Sequence, residues 1–303
     1  MSRRVQTVHM SSLDGDHSPP VRGGLDQGDL VARLFLGYAH FFARYHQHRV
    51  LHLERLGRLL QRGRRVVLVG NHVLDVLDPL LFTAALIERY GRIPHFIGHE
   101  NLIFRLPGLG ELAKRYHMIP SRHMGEAAHA LRTGGLLMLY PGSGSEAARR
   151  SYRDEPYRLK WDNRFGFLRL ALRYDAAVLF VAAVGIDEMY YQSSQPIPGW
   201  LLRRFSAERY EGSRLQFGLL GPHLLPTLLP FPVRITHIVS KPLDLGDRAA
   251  ARRSRAALAA LHRRITAKCQ DLLDAAVAQR ERDAPLLDRS IRAGERFLQR
   301  IGL

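Results

Sequence analysis

Hydrophobic and polar positions along this chain follow several rhythms, and each predicts a different element. Residues 1–29 are polar, with Asp14, Asp16, Ser18 and two prolines in place of an apolar core, which predicts a disordered leader unlike a secretory signal. From Asp29, a suitable N-cap, to about Arg62 the pattern turns helical. Leu34, Tyr38, Phe41 and Tyr45 recur at three- and four-residue steps, with Phe35 and Phe42 beside them and Arg33, His40 and Arg44 away from that stripe. Val66 to Val69 is instead an unbroken apolar run between Arg65 and Gly70, as expected of a strand buried on both faces. The same reading places a helix from Asp78 and Pro79 to about Tyr90, strands near 95–98, 136–140, 178–184 and 234–239, and helices near 101–116, 125–132 and 248–282. Alternating strands and helices of this kind predict an α/β fold, a mixed, largely parallel sheet flanked by helices.

Between Met189 and Val233 the pattern loosens. Pro196, Pro198, Pro226 and Pro230 discourage regular elements, while Trp200, Leu201, Leu202, Leu224, Leu225 and Phe231 need an apolar place to go. Two readings stand, a lid over an apolar tunnel that touches a bilayer, or ordinary packing on the core. The expected organisation is a leader over 1–29, an amphipathic helical segment over 30–62, a main domain over 63–247 with an insertion over 190–232, and C-terminal helices over 248–303. No internal repeat is visible.

Composition narrows the classes. A hydrophobic content of 46% over 303 residues excludes wholesale disorder and suits one large α/β domain. The single cysteine, Cys269, excludes an internal disulfide and a cysteine-rich zinc site. Forty-five Lys and Arg against 28 Asp and Glu leave a formal charge of +17, a surface that attracts polyanions: nucleic acid or an anionic membrane. Neither a zinc-finger pattern nor an RNP-like aromatic motif is present, so no nucleic-acid partner is expected, and a compositional preference for arginine is the plainer source of part of the excess. No window of about 18 residues is free of charge, so the 30–62 segment is not expected to span a bilayer. Its aromatic stripe suits a helix lying in the membrane interface or one packed on the core, and both faces can serve at once.

Chemistry concentrates where the 66–69 run ends, at Asn71-His72-Val73-Leu74-Asp75-Val76-Leu77-Asp78-Pro79. A histidine there can take a proton from a hydroxyl, and a carboxylate on its other nitrogen fixes the tautomer and stabilises the imidazolium. Asp78 is the preferred partner, and Asp75, three residues from His72, is the alternative. The turn after the 136–140 strand holds Gly142, Ser143 and Gly144, whose free N–H groups suit a developing oxyanion or a phosphate. His95, His99, His117, His123 and His129 match no ligand pattern, so no metal is expected.

Taken in order, Asn71-His72 with Asp78, Met118-Ile119-Pro120-Ser121-Arg122, Leu139-Tyr140-Pro141-Gly142-Ser143-Gly144-Ser145-Glu146 and the strand Val178 to Gly185 resemble the motifs of the glycerolipid acyltransferase superfamily of the PlsC type. Five residues between His72 and Asp78, where the best-known pattern has four, look like the branch of phytyl ester synthases and diacylglycerol acyltransferase-like proteins. The resemblance runs over roughly residues 64–246. It implies the PlsC-type fold, an acyl transfer with His72 as general base and Asp78 beside it, and substrate contacts from Asn71, Arg122, Gly142, Ser143, Gly144 and Glu146, the last at the acceptor hydroxyl. It implies acyl-CoA or acyl carrier protein as co-substrate with no cofactor, membrane lipids as partners, and a peripheral place on the cytoplasmic side of the membrane. The chain departs from the best-known third motif, Phe-Pro-Glu-Gly-Thr-Arg, by having Ser143 and Ser145 where that motif has its glutamate and arginine. A guanidinium grips phosphate through paired charge-assisted bonds, so its absence favours a neutral acceptor over a phosphate-bearing one. A lysophospholipid acyltransferase and a catalytically silent lipid-binding protein are the competing readings.

Overall fold

The computed structural model describes residues 30–72, 77–98, 113, 116–142, 146, 156–196, 214–223, 229–283, 285–286, 288–291 and 293–294. Seven strands build the main sheet: β1 (Arg49–Leu51), β2 (Val66–Gly70), β3 (His95–Gly98), β4 (Met118–Pro120), β5 (Leu136–Leu139), β6 (Ala177–Val184) and β10 (Thr236–Val239). Their order is β1-β10-β6-β2-β5-β3-β4, with β10 antiparallel to β6 and the other pairs parallel. The expected mixed, largely parallel sheet with flanking helices is thus the fold observed. Val66 to Val69 are fully buried because β2 is the central strand, paired with β5 on one side and β6 on the other.

Among the described residues the helices include α1 (Leu30–Tyr45), α2 (Glu54–Gln61), α3 (Leu77–Tyr90), α4 (Met124–Arg132), α5 (Gly166–Arg173), α6 (Arg248–Arg253) and α7 (Arg255–Arg282). The helical pattern expected to run unbroken to Arg62 is interrupted. Gln47 and His52 take positive φ angles of 44° and 61°, and between them β1 pairs with β10 at the sheet edge. Periodicity carries across this gap because α2 resumes the same spacing, but two left-handed residues cannot continue a right-handed helix. The expected C-terminal helix divides likewise at Ser254. That residue is extended, and its side chain caps α7 by accepting from the Ala257 N–H at 3.2 Å.

The stripe on α1 also resolves into two faces. Ala32, Ala39, Phe42 and Ala43 are buried, whereas Leu30, Arg33, Leu34, Tyr38, Phe41 and Arg44 are exposed. Phe42, expected with the exposed aromatics, is therefore core, and the arginines share the outer face with the leucines. Half a helical turn separates them, since positions 30, 34, 38 and 41 align while 32, 39 and 43 fall opposite.

Within the insertion, β7 (Tyr191–Pro196), β8 (Arg214–Gly218) and β9 (Gly221–His223) form a separate three-stranded antiparallel sheet. The remainder of the expected lid, and the helix expected over 101–116 apart from residues 113 and 116, lie outside the described residues. Packed against β6, α7 buries Leu258, Leu261, Ile265, Cys269 and Leu273. Near its end Arg280 donates to Glu188 at 2.7 Å and to Asp288 at 3.1 Å, while Tyr157 also donates to Glu188. These ions are buried, so each depends on the others for the solvation that water no longer supplies.

Candidate active site

The C-terminal ends of β2, β5 and β6 meet at one edge of the sheet, and the motif residues collect there. In open α/β sheets this is the edge where loops leave room for a ligand. Gly70 closes β2, and a Cβ on it would lie 2.7 Å from the Tyr140 ring and 3.2 Å from the Val181 carbonyl. Only glycine lets the aromatic ring come this close to the strand. The ring then serves as a floor for the next residues, because the His72 imidazole stacks on it with centroids 4.7 Å apart and planes 19° apart.

Asn71 is buried and spans to β6. Its side chain donates to the Ala183 carbonyl and accepts from the Ala183 N–H, both at 2.8 Å. Expected at the substrate, it is engaged in splicing the exit of β2 to its neighbouring strand. That leaves His72, half-buried at the rim, on a backbone held from both directions.

The second hold comes from Glu146. Its carboxylate is fully buried and accepts from the His72 N–H at 2.9 Å and from the Lys160 N–H at 2.8 Å. The carboxylate thereby ties the Gly-rich turn, the catalytic-motif residue and the 156–161 segment into one unit. Gly142 is small for the same reason, since a Cβ there would fall 2.0 Å from Glu146 Oε2. Arg164 completes the turn by donating to the carbonyls of Pro141 at 3.1 Å and Gly142 at 2.7 Å. Ser143 and Gly144, expected to supply N–H groups to substrate, lie outside the described residues, as does Asp75. Arg122 is exposed in the turn after β4.

Asp78 sits in the first turn of α3, where a carboxylate meets the positive end of the helix dipole, and it is fully buried. Its Oδ1 accepts from His237 Nε2 at 2.5 Å. Tyr140 joins the two halves of the site. Its ring supports His72, and its phenol is near enough to Asp78 that burial, followed by the carboxylate's charge and hydrogen bonding, pushes its pKa well above the ordinary tyrosine value. Tyr140 therefore keeps its proton at any working pH.

Among the described residues, then, the structure brings together Asn71, His72, Gly142 and Glu146, while Asp78, expected to orient His72, bonds His237 and is linked to His72 through Tyr140. The structure adds Tyr140, Arg164 and His237, which sequence reasoning did not single out. His237 had one visible signal, a histidine inside the apolar run Ile235 to Val239, but the partner that explains it is 159 residues away. Among the described residues no group of three or more His, Cys, Asp or Glu side chains is placed to hold a metal ion.

Comparison with known proteins agrees with the motif order. Residues 52–184 match the protein-family model described as Acyltransferase, a span that contains Asn71, His72, Asp78 and Glu146. A protein of Gallus gallus described as a "DGAT1/2-independent enzyme synthesizing storage lipids" is 32% identical over 106 residues, which are 35% of this chain and 30% of that protein. This chain thus spans less than a third of the length of that relative. Among solved structures, the 1-acyl-sn-glycerophosphate acyltransferase PlsC from Thermotoga maritima is similar over 69% of this chain and 66% of its own, with 16% identity and a TM-score of 0.36.

Proposed function

With residues 52–184 belonging to the acyltransferase family, we propose that this chain moves a fatty acyl group from a thioester, acyl-CoA or acyl carrier protein, to the hydroxyl of a glycerolipid or long-chain alcohol. The observation that carries the reading is the position of His72. It lies inside the family span, at the exit of the central strand, with its backbone latched by Glu146 and its ring on Tyr140. In the reaction His72 removes the acceptor proton as the oxygen attacks the thioester carbonyl. The C–S bond breaks, and the leaving thiolate takes the proton back from the imidazolium. No acyl-enzyme is needed, because the base activates the acceptor itself. Ser143 and Gly144 N–H groups would steady the oxyanion.

A neutral acceptor is favoured over a phosphate-bearing one by Ser143 and Ser145 in the third motif, and what the name of the Gallus gallus relative says it makes, storage lipids, points the same way. We further propose that the protein works on the cytoplasmic surface of a membrane as a peripheral enzyme. Support comes from the outer face of α1, where Leu30 (66% exposed), Leu34 (64%), Phe41 (56%) and Tyr38 (37%) stand beside Arg33 and Arg44. Apolar side chains with basic flanks are the composition that inserts into an anionic interface. Among the described residues no helix is long and apolar enough to cross a membrane.

The deciding experiment is lipid mass spectrometry after incubating the purified chain with palmitoyl-CoA and a panel of monoglyceride, diglyceride, lysophosphatidate and fatty alcohol. New ester in the neutral-acceptor lanes is the expected result. Turnover confined to lysophosphatidate would reject the neutral acceptor, and no ester in any lane, with acyl carrier protein tried as donor, would reject the acyl-transfer reading.

A further inference from the structure

Behind the site three buried side chains form a row to which the reaction above gives no role. His48 lies just before β1, His237 in β10 and Asp78 in α3, with relative exposures of 8%, 1% and 0%. His48 Nε2 and His237 Nδ1 are 2.7 Å apart, and His237 Nε2 is 2.5 Å from Asp78 Oδ1. A carboxylate only accepts, so Nε2 of His237 carries the proton between them. A single proton joins His48 Nε2 to His237 Nδ1, carried by one ring or the other. Burial, followed by the neighbouring imidazoles of His237 and His46, holds the His48 pKa well below the ordinary histidine value, so His48 is uncharged.

The row leads from the sheet edge to Asp78. Beyond Asp78 stands the Tyr140 phenol, and on the Tyr140 ring lies His72. We propose that His237 is a positioning residue of the acyl-transfer site: its Nε2–H, oriented by His48, fixes the Asp78 carboxylate and with it the Tyr140 ring that supports His72. The inference rests on the reading of His72 as the base. Where a buried carboxylate is held by one strong donor its orientation is fixed, and the phenol beside it is confined too. Without that donor the buried carboxylate must turn toward another partner, and Tyr140 loses its fixed neighbour. Phe82, tilted against the His237 ring at 5.2 Å between centroids, blocks the ring from swinging away. The titratable groups facing His237 are His48 from the α1–β1 connection and Asp78 from α3, while His46 acts on His48.

Two variants separate positioning from simple packing. His237→Gln places an amide N–H where Nε2 was and restores the donor to Asp78. His237→Asn is polar and smaller, and its amide reaches the Nδ1 position only, so Asp78 is left without it. Both are first checked for folding by circular dichroism and thermal melting. Steady-state kinetics with palmitoyl-CoA and a neutral acceptor should show His237→Asn with kcat lowered about 10- to 100-fold, the scale of a misplacement of order 1 Å, and KM within about twofold. His237→Gln should recover most of that loss. In parallel, the His72 titration is followed by NMR through its ring carbon-bound protons, which needs no substrate. Its midpoint should move in His237→Asn and return in His237→Gln. Equal kcat and equal His72 midpoints in two folded variants would show a packing role and overturn the proposal, as would a folded His237→Gln as impaired as His237→Asn. If the unaltered chain makes no ester, the acyl-transfer reading falls, while the His72 midpoints still decide whether His237 controls the site.

Discussion

Replacing Glu146 by glutamine tests the best-defined hold on the site. The substitution keeps the side chain's size but leaves one carbonyl oxygen where two carboxylate oxygens accepted from the N–H groups of His72 and Lys160. One of those N–H groups must then face an amide NH2, donor against donor, in a place with no exposure to water. A hydrogen bond to a charged group contributes about 1.5–3 kcal/mol, and an orphaned buried N–H costs about 1–3 kcal/mol, so the two views of this lost bond agree on roughly 2 kcal/mol. In a domain of this size each kcal/mol lowers Tm by about 2–4 °C, which gives an expected drop of about 4–8 °C by calorimetry or circular dichroism. The catalytic effect should be a fall in kcat of about 10- to 100-fold, because His72 loses the bond that locates its backbone, with KM for the thioester within about twofold. A glutamate that instead reads the acceptor hydroxyl gives a different split: Tm nearly unchanged and acceptor KM raised with kcat preserved. That second pattern would refute the clamp drawn from the geometry and restore the role that motif resemblance implies.

His72→Ala should leave a folded protein whose turnover is lowered by about 100-fold or more, the usual scale of general-base loss, and Asp78→Asn should approach it; a folded His72→Ala at full rate ends the proposed mechanism. Changing Leu34, Tyr38 and Phe41 together to Ser should leave the melting temperature nearly unchanged, since all three side chains are exposed, but should sharply reduce sedimentation with anionic liposomes; unaltered sedimentation removes α1 as the membrane contact. Burial lowers the His46 pKa from 6.5 to about 4, so below pH 6.5 the unfolded chain takes up a proton that the folded chain refuses. The contribution is present above pH 6.5 and is lost as pH falls toward 4, up to about 3 kcal/mol from this group. His48 adds in the same direction. Urea midpoints measured at pH 7, 5.5 and 4.5 should fall in that order in the unaltered chain and fall less steeply in His46→Gln.

What the sequence determined by itself was whatever depends on neighbours along the chain. The run Val66 to Val69 announces a doubly buried strand, the position of His72 directly after it announces an edge where chemistry can occur, and the order of the motifs announces the family. Periodicity also located most helices, because a buried face recurs every 3.6 residues whatever it packs against. It failed at Gln47 and His52, where two positive φ angles break a pattern that side-chain spacing carries on regardless. Only the tertiary structure decided which polar groups meet. Glu146 reaches back 74 residues to the His72 N–H, Asn71 reaches 112 residues to Ala183, and Asp78 reaches 159 residues to His237. Nothing local encodes those pairings. A buried polar group must find a partner, and the sheet order, which sets β10 beside β6 and β6 beside β2, chooses which one is within reach. The outer face of α1 was settled in the same way, since a helix with apolar residues on two sides buries whichever side the core is large enough to cover.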